Sequence, residues 1–400
     1  MNVRCCARGA ARLARLLGPL LLGAAALSSA QWPPASAQTI PSEAPRAPST
    51  AAPQSPGPST DAPATPPSAT GAASQAEVVA DAKAPDIALV LPLDTPAYAR
   101  AADAVRAGFL AAASTAGMSD RCIVIGHNLD GVIGAFQIAD QRGAHVVVGP
   151  LVRDDLKTLA ISGLPLRPTI ALNQFDDGTP LPPNVYSLAL AVESDARVIA
   201  RRALADGAKT VDVVSSDNPL MRRFAVSFAA EWIQAGGKAP SDYRFDGAMD
   251  GLIALRKLLA KSAPDAVLLA LDGSQTALAK PFVGQVTAYA SGLLFDRTPE
   301  AGVRDLDDVR VVEIPWIVTP DAAEFAKLPR RDFGSAALTR LYALGLDAFR
   351  VAARFVTESP AEMEFDGATG HLALNAQRQF VREGRLAVYR DGQLVPLEPR

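Results

Sequence analysis

Ile87-Ala88-Leu89-Val90-Leu91-Pro92-Leu93 is apolar at every position and carries a proline near its end. A strand with one wet face alternates apolar and polar residues, so an unbroken run predicts a strand covered on both faces, as in a parallel sheet flanked by helices. The next segment, Ala97 to Ala116, is alanine-rich and amphipathic and predicts the crossover helix that such a sheet requires. The same alternation continues down the chain. Further strands are predicted at Cys122 to Ile125, His145 to Val148, Thr169 to Leu172, Val185 to Leu190, Val211 to Ser215, Ala266 to Leu271, Val286 to Ala288 and Val309 to Glu313. Helices are predicted at Ile133 to Arg142, Asp154 to Ile161, Asp195 to Ala205, Pro219 to Ala235, Met249 to Ala260 and Ser274 to Phe282. Local chemistry marks some starts: Asn218 precedes Pro219 at a first helical position, and Ser194-Asp195 precedes an Ala, Val and Ile face. The fold class is α/β.

From Pro85 the body runs for roughly 315 residues, more than a single core usually serves, so two lobes are expected with a seam near Leu190 and Ala191. Lobe one takes in about residues 85–190 and a returning helix at about 335–357, where Leu338, Leu341, Leu344, Leu346, Phe349, Ala352, Ala353 and Phe355 recur at helical spacing. Lobe two takes in about residues 191–318 and a C-terminal hairpin, in which Gly384 to Arg390 and Gln393 to Leu397 flank the turn dipeptide Asp391-Gly392.

Ahead of the body, Arg4, Arg8, Arg12 and Arg15 precede the apolar run Leu16 to Leu27, the pattern of an export signal at 1–30. That run is too short for a membrane-spanning helix, which needs roughly 20 residues. Cleavage is expected after Ala30 or after Ala37, and the body is expected in the periplasm; a signal left uncut would instead tether it to a membrane. Cys5 and Cys6 lie before the apolar run, so no cysteine is placed for lipid attachment, and the next is Cys122. Residues 31–84 are rich in Pro, Ala, Ser and Thr, with nine prolines between positions 41 and 67, and are expected to form an extended, coreless linker. Cys122 opens the apolar run Cys122-Ile123-Val124-Ile125 and reads as a buried, inert thiol. The net charge is −3, and loss of the four signal arginines makes it −7, with no basic stripe elsewhere; nucleic acid is not an expected partner.

Open α/β sheets bind ligands beyond the carboxyl ends of their strands, and two facing lobes make a cleft there. The loops selected by that rule hold Asp94, Thr95, Gly149, Asn173 and Gln174 in lobe one, and Ser215, Ser216, Asp217, Asp272 and Ser274 in lobe two. Hydroxyls and amides beside a helix N-terminus suit a carboxylate, and Asp217 or Asp272 suits an ammonium group, so an amino-acid-like ligand fits; the same residue types also serve simply as caps and turns. Arg153, beside Asp154 and Asp155, reads equally well as a solvated helix start and is not selected as a ligand. The sequence lacks the spacings that enzymes need. There is no Gly-x-Ser-x-Gly elbow, Gly236-Gly237-Lys238 is followed by Ala239 rather than Ser or Thr, and Gly131 to Gly134 completes no dinucleotide fingerprint. His127, His145 and His371 are scattered without a second ligand at metal spacing. The acid pairs Asp154-Asp155, Asp176-Asp177 and Asp307-Asp308 are sequence neighbours that point apart. No catalysis, metal or cofactor is expected.

Several motifs resemble one family. Ile87 to Leu93, Ala107-Gly108-Phe109-Leu110, Val148-Gly149-Pro150-Leu151 and Ala171-Leu172-Asn173 are similar to the opening of the penicillin-binding protein activator family, whose C-terminal domain has the type 1 periplasmic binding protein fold. More specific are Glu313-Ile314-Pro315-Trp316, the run Arg340 to Arg350, and Phe365-Asp366-Gly367-Ala368-Thr369-Gly370. The resemblance covers the body from about residue 86 and implies a two-lobed envelope protein that binds a bifunctional penicillin-binding protein and stimulates its peptidoglycan cross-linking. The opening motifs alone would equally fit a solute-binding receptor of an amino-acid-type ABC importer. Family members known for the activating role resemble outer-membrane lipoproteins with a helical-repeat domain ahead of this fold, and here a Pro-rich segment stands in that position. Physically, Pro315 ends strand pairing, Trp316 fills a hinge or lobe face, and Phe365 to Gly370 reads as a turn from the last helix to the hairpin.

Overall fold

A computed structural model describes residues 85–175, 179–296, 305–357 and 362–397. The expected signal, the linker and the Asp176-Asp177 pair lie outside the described residues. Among the described residues no helix is long and apolar enough to cross a membrane.

The first lobe is built on β1 (Ile87–Leu91), β2 (Cys122–Gly126), β3 (Val146–Val148), β4 (Thr169–Ala171) and β5 (Val185–Ser187). They form one parallel sheet in the order β2-β1-β3-β4-β5. Period-two alternation along β1 divides its side chains: Ile87, Leu89 and Leu91 join one core, and Ala88 and Val90 join another on the opposite face. The crossovers are α1 (Ala99–Thr115), α2 (Val132–Gln141) and α3 (Arg153–Ser162). β5 is shorter than the sequence predicts, because Leu188 N–H donates to Ala171 O and the chain then leaves the sheet for the second lobe.

In the second lobe, β6 (Val211–Ser215), β7 (Ser241–Arg244), β8 (Ala266–Ala270), β9 (Thr287–Ser291) and β10 (Val309–Glu313) run parallel. Helices α4 (Val192–Ala205) and α5 (Pro219–Gln234) cover one face, and α6 (Met249–Ser262) and α7 (Gly273–Val283) the other. Asn218 caps α5 by accepting from Leu220 N–H at 2.9 Å. The capping reading of Ser194-Asp195 is corrected. α4 starts three residues earlier than expected, at Val192, and Asp195 turns inward from its first turn.

After the short α8 (Pro315–Val318), α9 (Ala336–Thr357) packs against α1 in the core of lobe one. The two helices meet where neither has a side chain. A Cβ on Gly108 would overlap the Tyr342 carbonyl, and one on Gly345 would overlap that of Val105. Trp316 is buried edge-on to Phe325, with the Arg330 guanidinium 3.8 Å above its ring.

A three-stranded antiparallel sheet then follows, which the sequence reading did not anticipate: β11 (Glu364–Asp366), β12 (His371–Leu374) and β13 (Phe380–Glu383). Phe365 to Gly370 is therefore not a linker to the hairpin; it holds the tight turn between β11 and β12, with Gly370 at φ 143°. The chain returns to lobe two as β14 (Arg385–Arg390) and β15 (Gln393–Pro396), antiparallel strands at one edge of the order β15-β14-β10-β9-β8-β6-β7. Asp391 and Gly392, at φ 50° and 75°, make the two-residue turn with both residues left-handed. The chain thus crosses between lobes at Leu188–Ala191, at Ile314 and at Gly384.

Candidate functional site

A cavity of about 560 Å³ opens between the lobes beyond the carboxyl ends of the lobe-one strands. Lobe one supplies Tyr98 from the approach to α1, Arg153, Asp154 and Lys157 from the first turns of α3, Asn173 and Gln174 after β4, and Leu341 and Leu344 from α9. Lobe two supplies Leu220 and Arg223 from the first turns of α5.

Asn173 organises the floor. Its Oδ1 accepts from Gln174 N–H at 2.9 Å and from Arg153 Nη2 at 3.3 Å, and its Nδ2 donates to Leu151 O at 3.0 Å. Arg153 Nε donates to Gln174 O at 2.8 Å, so the guanidinium lies along the loop instead of pointing to solvent. Arg153 is the first residue of α3, as a helix start should be, but its side chain is half-buried rather than solvated. Lys157 pairs with Asp154 at 3.0 Å, and Arg223 Nε donates to Glu193 at 2.8 Å. One residue further along α3, Asp155 is buried with His127 Nε2 3.9 Å from its Oδ2. Burial pushes the Asp155 carboxyl up, and the facing His127 opposes the rise.

Of the residues selected from sequence, Asn173 and Gln174 line the cavity, and the others do not border it. Thr95 is buried, Asp94 lies beside Gly126, and Gly149, at φ 122°, is pressed against the Val90 carbonyl. Ser215 donates to Asp242 at 2.6 Å, Ser216 is buried, and exposed Asp217 pairs with Arg244 at 2.7 Å. Asp272 accepts from Gln275 N–H at 2.8 Å in a capping box at the start of α7, and Ser274 is exposed in that first turn. Tyr98, Lys157, Leu220, Arg223, Leu341 and Leu344 were missed. Extending the strand-end rule from each loop through the first two turns of the helix beyond it would have found Lys157, Leu220 and Arg223, and following the first loop to its end would have found Tyr98. Among the described residues no group of three or more His, Cys, Asp or Glu side chains is arranged to hold a metal ion.

The profile of a family described as "LppC putative lipoprotein" matches residues 74–392. A protein called penicillin-binding protein activator LpoA from Edwardsiella piscicida is 27% identical over 305 residues, 65% of this chain and 44% of that one. Its namesake from Klebsiella pneumoniae is 27% identical over 297 residues, 64% of this chain and 42% of that one. The chain spans less than half the length of these relatives. Among solved structures, the C-domain of LpoA from Haemophilus influenzae, described as a regulator of PBP1A, shares the fold, with a TM-score of 0.66 and 22% identity over 78% of this chain and 99% of that domain. A "putative branched-chain amino acid ABC transporter" from Chromobacterium violaceum superposes with a TM-score of 0.67 at 33% identity, covering 76% of this chain and 99% of that one.

Proposed function

Because the chain belongs to the LppC family, we propose that it is a non-catalytic regulator of the cell envelope that binds a bifunctional penicillin-binding protein and stimulates its cross-linking of peptidoglycan. The observation that carries this reading is the family match over residues 74–392, together with relatives named as penicillin-binding protein activators. The cleft is consistent with it. Asn173 and Arg153 are engaged with their own loops, Lys157 with Asp154 and Arg223 with Glu193, an arrangement that suits a surface held in shape. In this reading residues 1–30 direct export and the body works in the periplasm.

The test is reconstitution. The purified chain without residues 1–30 is added to a bifunctional penicillin-binding protein from the same cell envelope, and cross-linked product is measured along with direct binding. Saturable binding and a several-fold rise in cross-linking are expected; absence of both sinks the proposal.

A second reading is favoured by the interlobe cavity and by the 33% identity to the transporter-type protein: a receptor for an amino-acid-like solute. In that case Asn173 and Gln174, with Arg223 across the cleft, contact the ligand. A thermal-shift screen of amino acids separates the two readings, since a receptor bound at 100 times its Kd gains about 2.7 kcal/mol and a regulator without a solute gains nothing.

A further inference from the structure

The three crossings between the lobes surround four charged side chains: Glu313, Arg340 and Arg382 are buried, and Asp195 is mostly covered, its side chain 13% exposed. Arg382 of β13 donates through Nη2 to Asp195 of α4 at 2.5 Å and through Nη1 to Thr369 O at 3.1 Å. Arg340 of α9 donates through Nε to both oxygens of Glu313 at 3.0 and 3.1 Å, and through Nη2 to Glu313 and to Gly292 O. Glu313 Oε1 also accepts from Ile314 N–H at 2.8 Å. The two pairs lie close enough that Glu313 and Arg340 act electrostatically on Asp195.

Each pair joins one lobe to the other. Phe380 on β13 and Tyr342 and Leu346 on α9 belong to the core of lobe one, whereas Ala196 and Ile199 on α4 and Val312 on β10 belong to lobe two. Outside the quartet, Arg201 of α4 adds an exposed tie to Glu383 at 2.6 Å. The backbone around the charges is as tightly fitted as the charges themselves. A Cβ at Gly370 would overlap Glu383 O, one at Gly292 would crowd Val312 O, and one at Gly384 would crowd Val312 and Glu313.

We propose that this quartet is an interlobe latch that holds the two lobes at one angle, so that the cleft presents a fixed shape instead of opening and closing as a hinge. Two paired cations and two paired anions leave no net charge in the crossing. Such pairs add little stability over an apolar core, but their hydrogen bonds hold only over a narrow range of distance and angle. A relative shift of about 1 Å at the crossing takes these contacts past hydrogen-bonding distance and strands charges away from water. The inference concerns the motion of the chain and holds whichever partner the protein binds.

The experiment measures the distance between lobes by pulsed electron spin resonance on the chain without residues 1–30. Spin labels are placed at Ile161→Cys on α3 and Val226→Cys on α5, both exposed, in a Cys122→Ser background. One narrow distance distribution is expected for the parent sequence. A broad or two-peaked distribution overturns the latch, and this arm depends on no substitution in the quartet. In the second arm, Arg382→Met with Asp195→Leu removes one pair without stranding either charge. A distribution about twice as wide, in a protein that keeps its far-UV dichroism, is expected; an unchanged width in that folded variant also overturns the latch.

Discussion

The carboxylate of Asp347, midway along α9, accepts from both the backbone N–H and the hydroxyl of Thr369, each at 2.7 Å. Ala368 N–H adds a third bond at 2.8 Å, and Gly367 lies so close to the carboxylate that no Cβ fits between them. The Arg340 to Arg350 run and the Phe365 to Gly370 turn are therefore two halves of one clasp. Arg340, two turns earlier on α9, grips Glu313, so all three of the more specific sequence motifs meet at α9.

Asp347→Ala removes the acceptor from two buried amides and a hydroxyl, each of which costs about 1–3 kcal/mol when left unsatisfied. A loss of roughly 3 kcal/mol or more is expected, read as a lower urea midpoint. Asp347→Asn keeps one acceptor oxygen and is expected to lose less.

Gly345→Ala places a methyl against the Val105 carbonyl, which belongs to helix backbone and cannot swing aside. The expected cost is about 1–3 kcal/mol, typical of overpacking. Gly134→Ala on α2 is the control: the site has open space, and the change is expected to stabilise by about 0.5–1 kcal/mol. Thermal melts of the two variants should move in opposite directions.

Burial pushes Asp195 up to about 6 from its ordinary 3.8, against the pull of Arg382. An acid raised in this way holds its proton more tightly folded than unfolded, so its contribution to stability is full below about pH 4 and is lost as the pH rises through about 6. At about 1.4 kcal/mol per pH unit, the loss across that window is roughly 3 kcal/mol. Denaturation curves at pH 4, 5, 6 and 7 should show the fall, and Asp195→Asn should flatten it; an equal slope in the variant rules out Asp195 as its source.

Burial and the nearby Asp86 push the Cys122 thiol up to about 11. At pH 8 only about one thiol in a thousand is then ionised, and the thiolate is the reactive form. In the chain without residues 1–30, a disulfide reagent should label Cys122 far more slowly than it labels free cysteine, and urea should restore the ordinary rate.

β1, β6 and β10 stand where the sequence reading puts them, residue for residue: β1 is apolar throughout, and the valines of β6 and β10 give each strand an apolar majority that enters the cores on both faces. β7 escaped notice because Ser241-Asp242-Tyr243-Arg244 is a polar edge strand with no apolar period. β11 to β13 escaped because distant partners, Asp347 and the core around Phe380, give them their burial. At the cleft, the strand-end rule reached Asn173 and Gln174, but Asp94, Thr95 and Gly149 stand off the cavity, and so do all the residues selected in lobe two. There Ser215, Asp217 and Asp272 are held by Asp242, Arg244 and a helix N-terminus, contacts set by folding that residue type alone does not reveal.

The two rims of the seven-stranded sheet bear on how a partner is met. One rim, β7, carries Asp242 and Arg244; the other, β15, is four residues long and ends at Pro396, which has no N–H to donate. Charge on one margin and brevity with proline on the other discourage a foreign strand from extending the sheet. Lobe two is thereby biased toward recognition through side chains on its helices and loops, and away from both backbone-templated capture of a peptide and fibrous self-association.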